Sequence, residues 1–286
     1  MRSKFNRTTC EEKLETIAQC FGGSTFSFMW RDTALVAMRK MQALGLNDFD
    51  VLVVPGHLWL DELSAADRSV LAGNLRSEGI RIESLNLPAL DLNLVSRVEE
   101  FRRYSIDLYI RTMQLAADLG AGAVVVVPGR VSSLFPPPRT DTERLLRDSM
   151  EQLLRVAERL DQRIFVELHP QTPIPTSDAM LAFLDGLAHE RLLIAYDVSN
   201  AEFVGEDQAD AIRRSGNRIG QIHLSDGTRS QWRHDRVGLG TVRFDEILKT
   251  VNETRFSGVS VLEIISSSPL EDMGASAAAL KRIAID

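Results

Sequence analysis

The sequence predicts a single (β/α)8 barrel, and three observations carry that prediction. Eight short runs rich in β-branched or apolar residues alternate with eight segments of helical periodicity across residues 22–286. Each run ends in a polar or Gly/Pro loop, and glycine follows several of the helical segments, at Gly45, Gly79, Gly120 and Gly216, where a helix stop signal belongs. No linker or low-complexity stretch divides the chain. Regular alternation without a break points to one closed parallel barrel rather than an open doubly wound sheet.

The elements follow in order. The first strand is read in "GSTFSFM" from Gly23, before the helical "RDTALVAMRKMQALG". The second, "DVLVVPG" from Asp50, precedes "AADRSVLAGNLRSEG", and the third, "RIESLNL" from Arg81, precedes "RRYSIDLYIRTMQLAADLG". The fourth, "AVVVVPG" from Ala123, opens the longest irregular piece, "PGRVSSLFPPPRTD"; its consecutive prolines favour a stiff extended loop, either a surface connection or a lid. The helical "TERLLRDSMEQLLRVAERL" comes next. The fifth strand is "RIFVELH" from Arg163, followed by "SDAMLAFLDGLAHE", and the sixth "LLIAYDV" from Leu192, followed by "ADAIRRSG". The seventh is "IGQIHLS" from Ile219 with "DEILKTVNET", and the eighth "VSVLEII" from Val259 with "SAAALKRIA". Residues 1–21 fall outside this repeat and are expected to form an N-terminal helical extension, since Thr9 to Glu12, "TCEE", resembles a capping box. Residues 22–286 form the barrel.

Composition narrows the function. At 286 residues, 44% apolar and 26% charged, the chain is ordinary for a globular protein with a large core. Its net charge is −7 and its basic residues are scattered, which argues against a nucleic-acid partner. No apolar run approaches the ~20 residues of a membrane helix, and the first twenty residues lack a signal peptide's apolar core, so a cytoplasmic location and no membrane partner are expected. Cys10 and Cys20 are read as reduced thiols, too sparse for a disulfide scaffold.

Barrel enzymes place their chemistry where strands end at the C-terminal face. Along "RIFVELHP" the period-two alternation puts Phe165, Glu167 and His169 on one face and Val166 and Leu168 on the other, so a carboxylate points where apolar neighbours usually go. The last four predicted strands each carry an ionisable residue there: Glu167, Asp197, His223 and Glu263. Three carboxylates converging in a low-dielectric mouth repel one another, and one divalent cation relieves that repulsion. Oxygen donors with one imidazole suit Mn²⁺, Mg²⁺ or Co²⁺, with Zn²⁺ as a further choice. A buried network with Arg236 or Arg243 is the alternative.

With these positions in place the chain resembles the xylose isomerase-like TIM barrels, the sugar phosphate isomerases and epimerases, which include ketose 3-epimerases, inosose isomerases and dehydratases and, more distantly, endonuclease IV. The resemblance covers residues 22–285 and rests on "GGSTFSF", "LAADLGAGAVVVVPG", "HDRVGLGTVRFDEIL" and "SGVSVLEI". It implies a metal quartet of Glu167, Asp197, His223 and Glu263 holding one divalent ion, Mn²⁺ ahead of Mg²⁺, Co²⁺ or Zn²⁺. Glu167 and Glu263 would also be the acid/base pair that moves a proton through an enediolate. The implied partner is a small carbohydrate or polyol-derived ketone; relatives are often homo-oligomers.

One departure is Asn200, where many relatives carry histidine three residues after the strand-six Asp; asparagine can bond a hydroxyl but carries no proton. The nuclease reading also lacks histidines on the earlier strands. Arg236 matches a position where relatives hold substrate. His234, His169, His57 and Trp30 are further substrate-binding candidates, each weighed against a loop or core role. Asp226 is expected to hold the strand-seven loop or to orient His223. Besides the isomerase or epimerase, a metal-dependent dehydratase of an inosose or dehydroshikimate-like substrate and a non-catalytic sugar-binding barrel stay open.

Overall fold

The computed structural model describes residues 21–88, 91–132 and 134–284. Eight parallel strands close into a barrel: β1 (Phe21–Ser24), β2 (Asp48–Leu52), β3 (Arg81–Asn86), β4 (Ala123–Val126), β5 (Arg163–Glu167), β6 (Leu192–Asp197), β7 (Ile219–Leu224) and β10 (Val259–Leu262). Between β7 and β10 a two-stranded antiparallel hairpin, β8 (Asp226–Thr228) and β9 (Gln231–Asp235), projects from the C-terminal face. Around the barrel run α1 (Ala34–Gln42), α2 (Ala65–Ser77), α3 (Glu99–Leu119), α4 (Arg139–Leu160), α5 (Ser177–Leu187), α6 (Val198–Val204), α7 (Gln208–Ser215), α8 (Phe244–Glu253) and α9 (Pro269–Ile283). Residues 1–20 of the expected extension, with Cys10, Cys20 and the "TCEE" segment, lie outside the described residues, and Phe21 belongs to β1.

Alternation along each strand separates two cores. Val124, Val126, Val166, Leu168, Ile194 and Ile222 face outward into the main core under the helices. Ala123, Val125, Phe165 and Ala195 form a small cluster inside the barrel. The interior above it is polar, which is where the chemistry collects. The four glycines read as helix stops all adopt positive φ, while α4 and α5 end instead on Asp161 and Ala188 at φ 54° and 49°.

Four elements differ from the sequence expectation. The first strand is shorter and starts earlier, because the chain turns at Thr25: Ser24 Oγ accepts from the Phe26 amide at 3.3 Å, and Phe26–Phe28 form a 3-10 turn. α6 was not anticipated; it begins directly after Asp197, whose own carboxylate caps it by accepting from the Asn200 amide at 2.7 Å. The β8–β9 hairpin was read as loop because its residues are almost all polar. α9 starts at Pro269, several residues ahead of the apolar run, with Pro in its first turn and Glu271 and Asp272 there to complement the helix dipole.

Candidate metal centre

Strand register delivers four side chains to one place. Glu167 and Asp197 close β5 and β6, His223 sits beside Asp197 in the β6–β7 ladder, and Glu263 follows the last residue of β10. All four are buried, and one donor atom from each lies within 4.8 Å of the others. His223 Nδ1 is 3.1 Å from Glu263 Oε2 and 3.9 Å from Asp197 Oδ2. Asp197 divides its two oxygens: Oδ1 accepts from the Asn200 amide and, at 3.1 Å, from Ser199 Oγ, while Oδ2 is buried with no hydrogen-bond partner.

The electrostatics are those of a group short of positive charge. Burial, reinforced by Glu263, pushes the Glu167 carboxyl well above the usual carboxylate range. Burial also raises Asp197. For Glu263 burial pushes the same way, but the His223 charge and hydrogen bond, with His234 beyond, outweigh it and hold Glu263 down to about 2. Burial alone would lower the His223 imidazole; Glu263 reverses this and holds it well above its ordinary value. A divalent cation suits this donor set: three carboxylates and an imidazole nitrogen, one carboxylate oxygen unpartnered, all within first-coordination reach. The arginine alternative does not hold: Arg236 pairs with Asp272 at 3.6 Å and Arg243 with Glu246 at 2.8 Å.

The remaining candidates divide. His234, on β9, reaches the quartet, its Nδ1 3.6 Å from both Asp197 Oδ2 and Glu263 Oε2 and 3.2 and 3.1 Å from Ser199 and Ser225 Oγ. Arg236, past the end of β9, stays outside it on Asp272. Asn200 uses its whole amide: Nδ2 donates to the Leu168 carbonyl at 2.8 Å and Oδ1 accepts from Trp232 Nε1 at 2.6 Å. His169 meets the Trp232 ring edge-on with centroids 4.8 Å apart, and burial, then Arg130, lower it to about 4, so it is neutral at physiological pH.

His57 is a staple between loops: burial lowers its pKa, Nδ1–H donates to the Asp32 carbonyl at 2.5 Å, and Nε2 accepts from Thr25 Oγ1 at 2.9 Å. Trp30 is 67% exposed beyond the first 3-10 turn. Asp226 holds the hairpin loop, accepting from the amides of Gly227, Val242 and Gly238 at 3.0, 3.1 and 2.8 Å.

Sequence reasoning missed Trp232, Ser199 and Ser225 at the mouth and Asp50 inside the barrel. In "QWRHD" the period-two spacing of Trp232 and His234 was the available signal, visible only once that stretch is taken as a strand.

Comparison with known proteins places the family and the fold. The xylose isomerase-like TIM barrel family matches residues 38–283. L-ribulose-5-phosphate 3-epimerase UlaE of Shigella flexneri serotype 5b is 20% identical over 237 residues, covering 82% of this chain and 83% of its own. The crystal structure of a D-tagatose 3-epimerase-like protein superposes with a TM-score of 0.80 at 21% identity, covering 92% and 96% of the two chains. That of IolI protein with a bound zinc atom gives 0.75 at 18% identity over 93% and 95%. Among the described residues no helix is long and apolar enough to cross a membrane.

Proposed function

Since the chain belongs to the xylose isomerase-like TIM barrel family and is an enzyme, we propose that it is a divalent-metal-dependent isomerase or epimerase of a sugar or related hydroxy-ketone. The observation that carries this reading is the convergence of Glu167, Asp197, His223 and Glu263, with Asp197 Oδ2 left unpartnered in a buried, acid-rich mouth. These four residues would hold the cation, Mn²⁺ being the first choice for a set dominated by oxygen. When bound there, a divalent cation supplies stabilisation of the negative charge that develops on adjacent carbonyl and hydroxyl oxygens of a substrate.

The protein's own groups do the proton work. Glu167 and Glu263 come from strands on opposite sides of Asp197 and His223, so they approach a shared carbon from different directions. One carboxylate takes the proton from the carbon between carbonyl and hydroxyl, giving an enediolate, and the other returns a proton to the opposite face, which inverts the carbon. Trp232 meets His169 edge-on, His234 stands beside Asp197 and Glu263, and Trp232 offers an apolar ring of the kind that stacks on sugar C–H faces.

The test combines metal analysis of the purified protein with deuterium uptake in D2O, using free ketoses and ketose phosphates as substrates. Cation bound in stoichiometric amount and deuterium incorporated without new ultraviolet absorbance are expected; an enone band instead would identify the dehydratase. Activity on a verified substrate surviving Glu263→Gln would overturn the acid/base roles.

A further inference from the structure

Asp50 lies on β2, which only β1 separates from β10 in the closed barrel, and its carboxylate is wholly buried. Its partners are neutral: Ser84 Oγ is 2.5 Å from Oδ1 and Asn86 Nδ2 is 3.0 Å from Oδ2. Burial pushes this carboxyl up, while the His223 charge and these two donors work against the shift. An acid kept there at such a desolvation penalty needs a reason beyond packing.

With Asp50 ionised, the hydrogen bonds running from it have one consistent direction. Ser84 has a single hydroxyl proton, and the carboxylate oxygen takes it. Ser84 Oγ must then accept from Gln221 Nε2, 3.0 Å away. That fixes the Gln221 amide with Oε1 turned toward His223 Nε2, at 3.2 Å. A carbonyl oxygen only accepts, so the His223 nitrogen facing it carries the proton. The other nitrogen, Nδ1, is the one aimed at Glu263 and Asp197.

Two irregularities in the sheet bring this chain into register. The β2–β3 ladder skips Glu83, so that Ser84 pairs with Asp50, and the β6–β7 ladder skips Gly220, so that Gln221 turns inward. Gly220 tolerates no side chain, since a Cβ there would lie 2.3 Å from the Phe165 ring. Both bulges immediately precede a relay residue.

We propose that Asp50, acting through Ser84 and Gln221, is a positioning residue that holds the proton of His223 on Nε2 and so presents Nδ1 to the cation. The proposal rests on the cation reading of the quartet. Without the Asp50 acceptor, Ser84 can donate to Gln221 Oε1, 3.2 Å away, and the amide can turn over to set a donor against His223 Nε2–H. Outer partners of this kind typically change metal affinity 10–100-fold.

The experiment uses the full chain with Asp50→Leu, Ser84→Ala and Ser84→Thr. Nitrogen-15 spectra of the cation-free protein read the His223 Nε2–H, and calorimetry with Mn²⁺ or Zn²⁺ alone reads affinity. A slowly exchanging Nε2–H is expected in the wild type. It is lost in Asp50→Leu, which leaves Ser84 no acceptor there, and in Ser84→Ala, with affinity down about 10–100-fold, and retained in Ser84→Thr, which keeps the hydroxyl. An Nε2–H unchanged in both Asp50→Leu and Ser84→Ala overturns the proposal; should Asp50→Leu not fold, Ser84→Ala, which removes one atom, decides alone. A wild type that shows the protected Nε2–H yet binds neither ion overturns the metal reading instead and leaves the relay's direction standing.

Discussion

The two halves of the barrel bury carboxylates in opposite ways. In the first half, Asp50 on β2 is as buried as any residue of the quartet, yet Ser84 and Asn86 each bring a donor to one of its oxygens. In the second half, β5, β6 and β10 deliver three carboxylates to a single imidazole, and acceptors outnumber donors until Asp197 Oδ2 has none. Burial of charge by itself therefore does not mark a site. What distinguishes the second half is a deficit of donors, which a cation or a substrate can meet.

The comparison can be broken from either side. The largest effect is expected from the acid/base pair: Glu263→Gln or Glu167→Gln should each lower turnover by about 10²–10⁴-fold or more, while Arg236→Ala, outside the cluster, should change it by less than about tenfold. Steady-state rates on a verified substrate separate the two classes. Next in size, Asp197→Ala should abolish the rise in melting temperature on adding Mn²⁺, a stabilisation of about 2.7 kcal/mol at one hundred times Kd in the unaltered protein. EDTA should have the same effect on the wild type.

The third test is pH. In the cation-free protein His223 is held above its unfolded value, so its contribution is full below about pH 6.5 and is lost as pH rises through the folded pKa. Glu167, also raised, is lost in the same direction, from about pH 4.5 upward. Glu263, held at about 2, contributes above about pH 4.5 and loses that as pH falls. His169, lowered to about 4, contributes above about pH 6.5 and loses it on acidification. Melting temperature in EDTA should therefore fall as pH rises above about 6.5, and saturating Mg²⁺ should flatten that fall. A flat EDTA profile would mean that the quartet is not strained by its own charge. The smallest effect is expected at Trp30, where exposure predicts a change within about 0.5 kcal/mol for Trp30→Ala, read by denaturant unfolding.

Much of this was legible in the chain. The strands announce themselves by β-branched runs such as "AVVVV", and the quartet by ionisable residues interrupting such runs near their ends, because local pattern and burial coincide there. What escaped depends on contacts between segments. Asp50 opens its apolar run and looks like an ordinary strand start until Ser84 and Asn86 are seen beside it. α6 has seven residues, too few for periodicity to register, and its cap is a residue that also serves the site. His234 and Arg236 are two positions apart and would share a strand face, but β9 ends at Asp235, so His234 turns toward the quartet while Arg236, past the strand, pairs with Asp272.

The closed ladder has a consequence for size discrimination. The donors stand on neighbouring staves of a hydrogen-bonded cylinder whose spacing, about 4.8 Å, is set by main-chain geometry rather than by the side chains themselves. Such a frame cannot contract around a shortened arm, so Glu167→Asp should empty its corner of the cage nearly as thoroughly as amputation, even though the charge is kept.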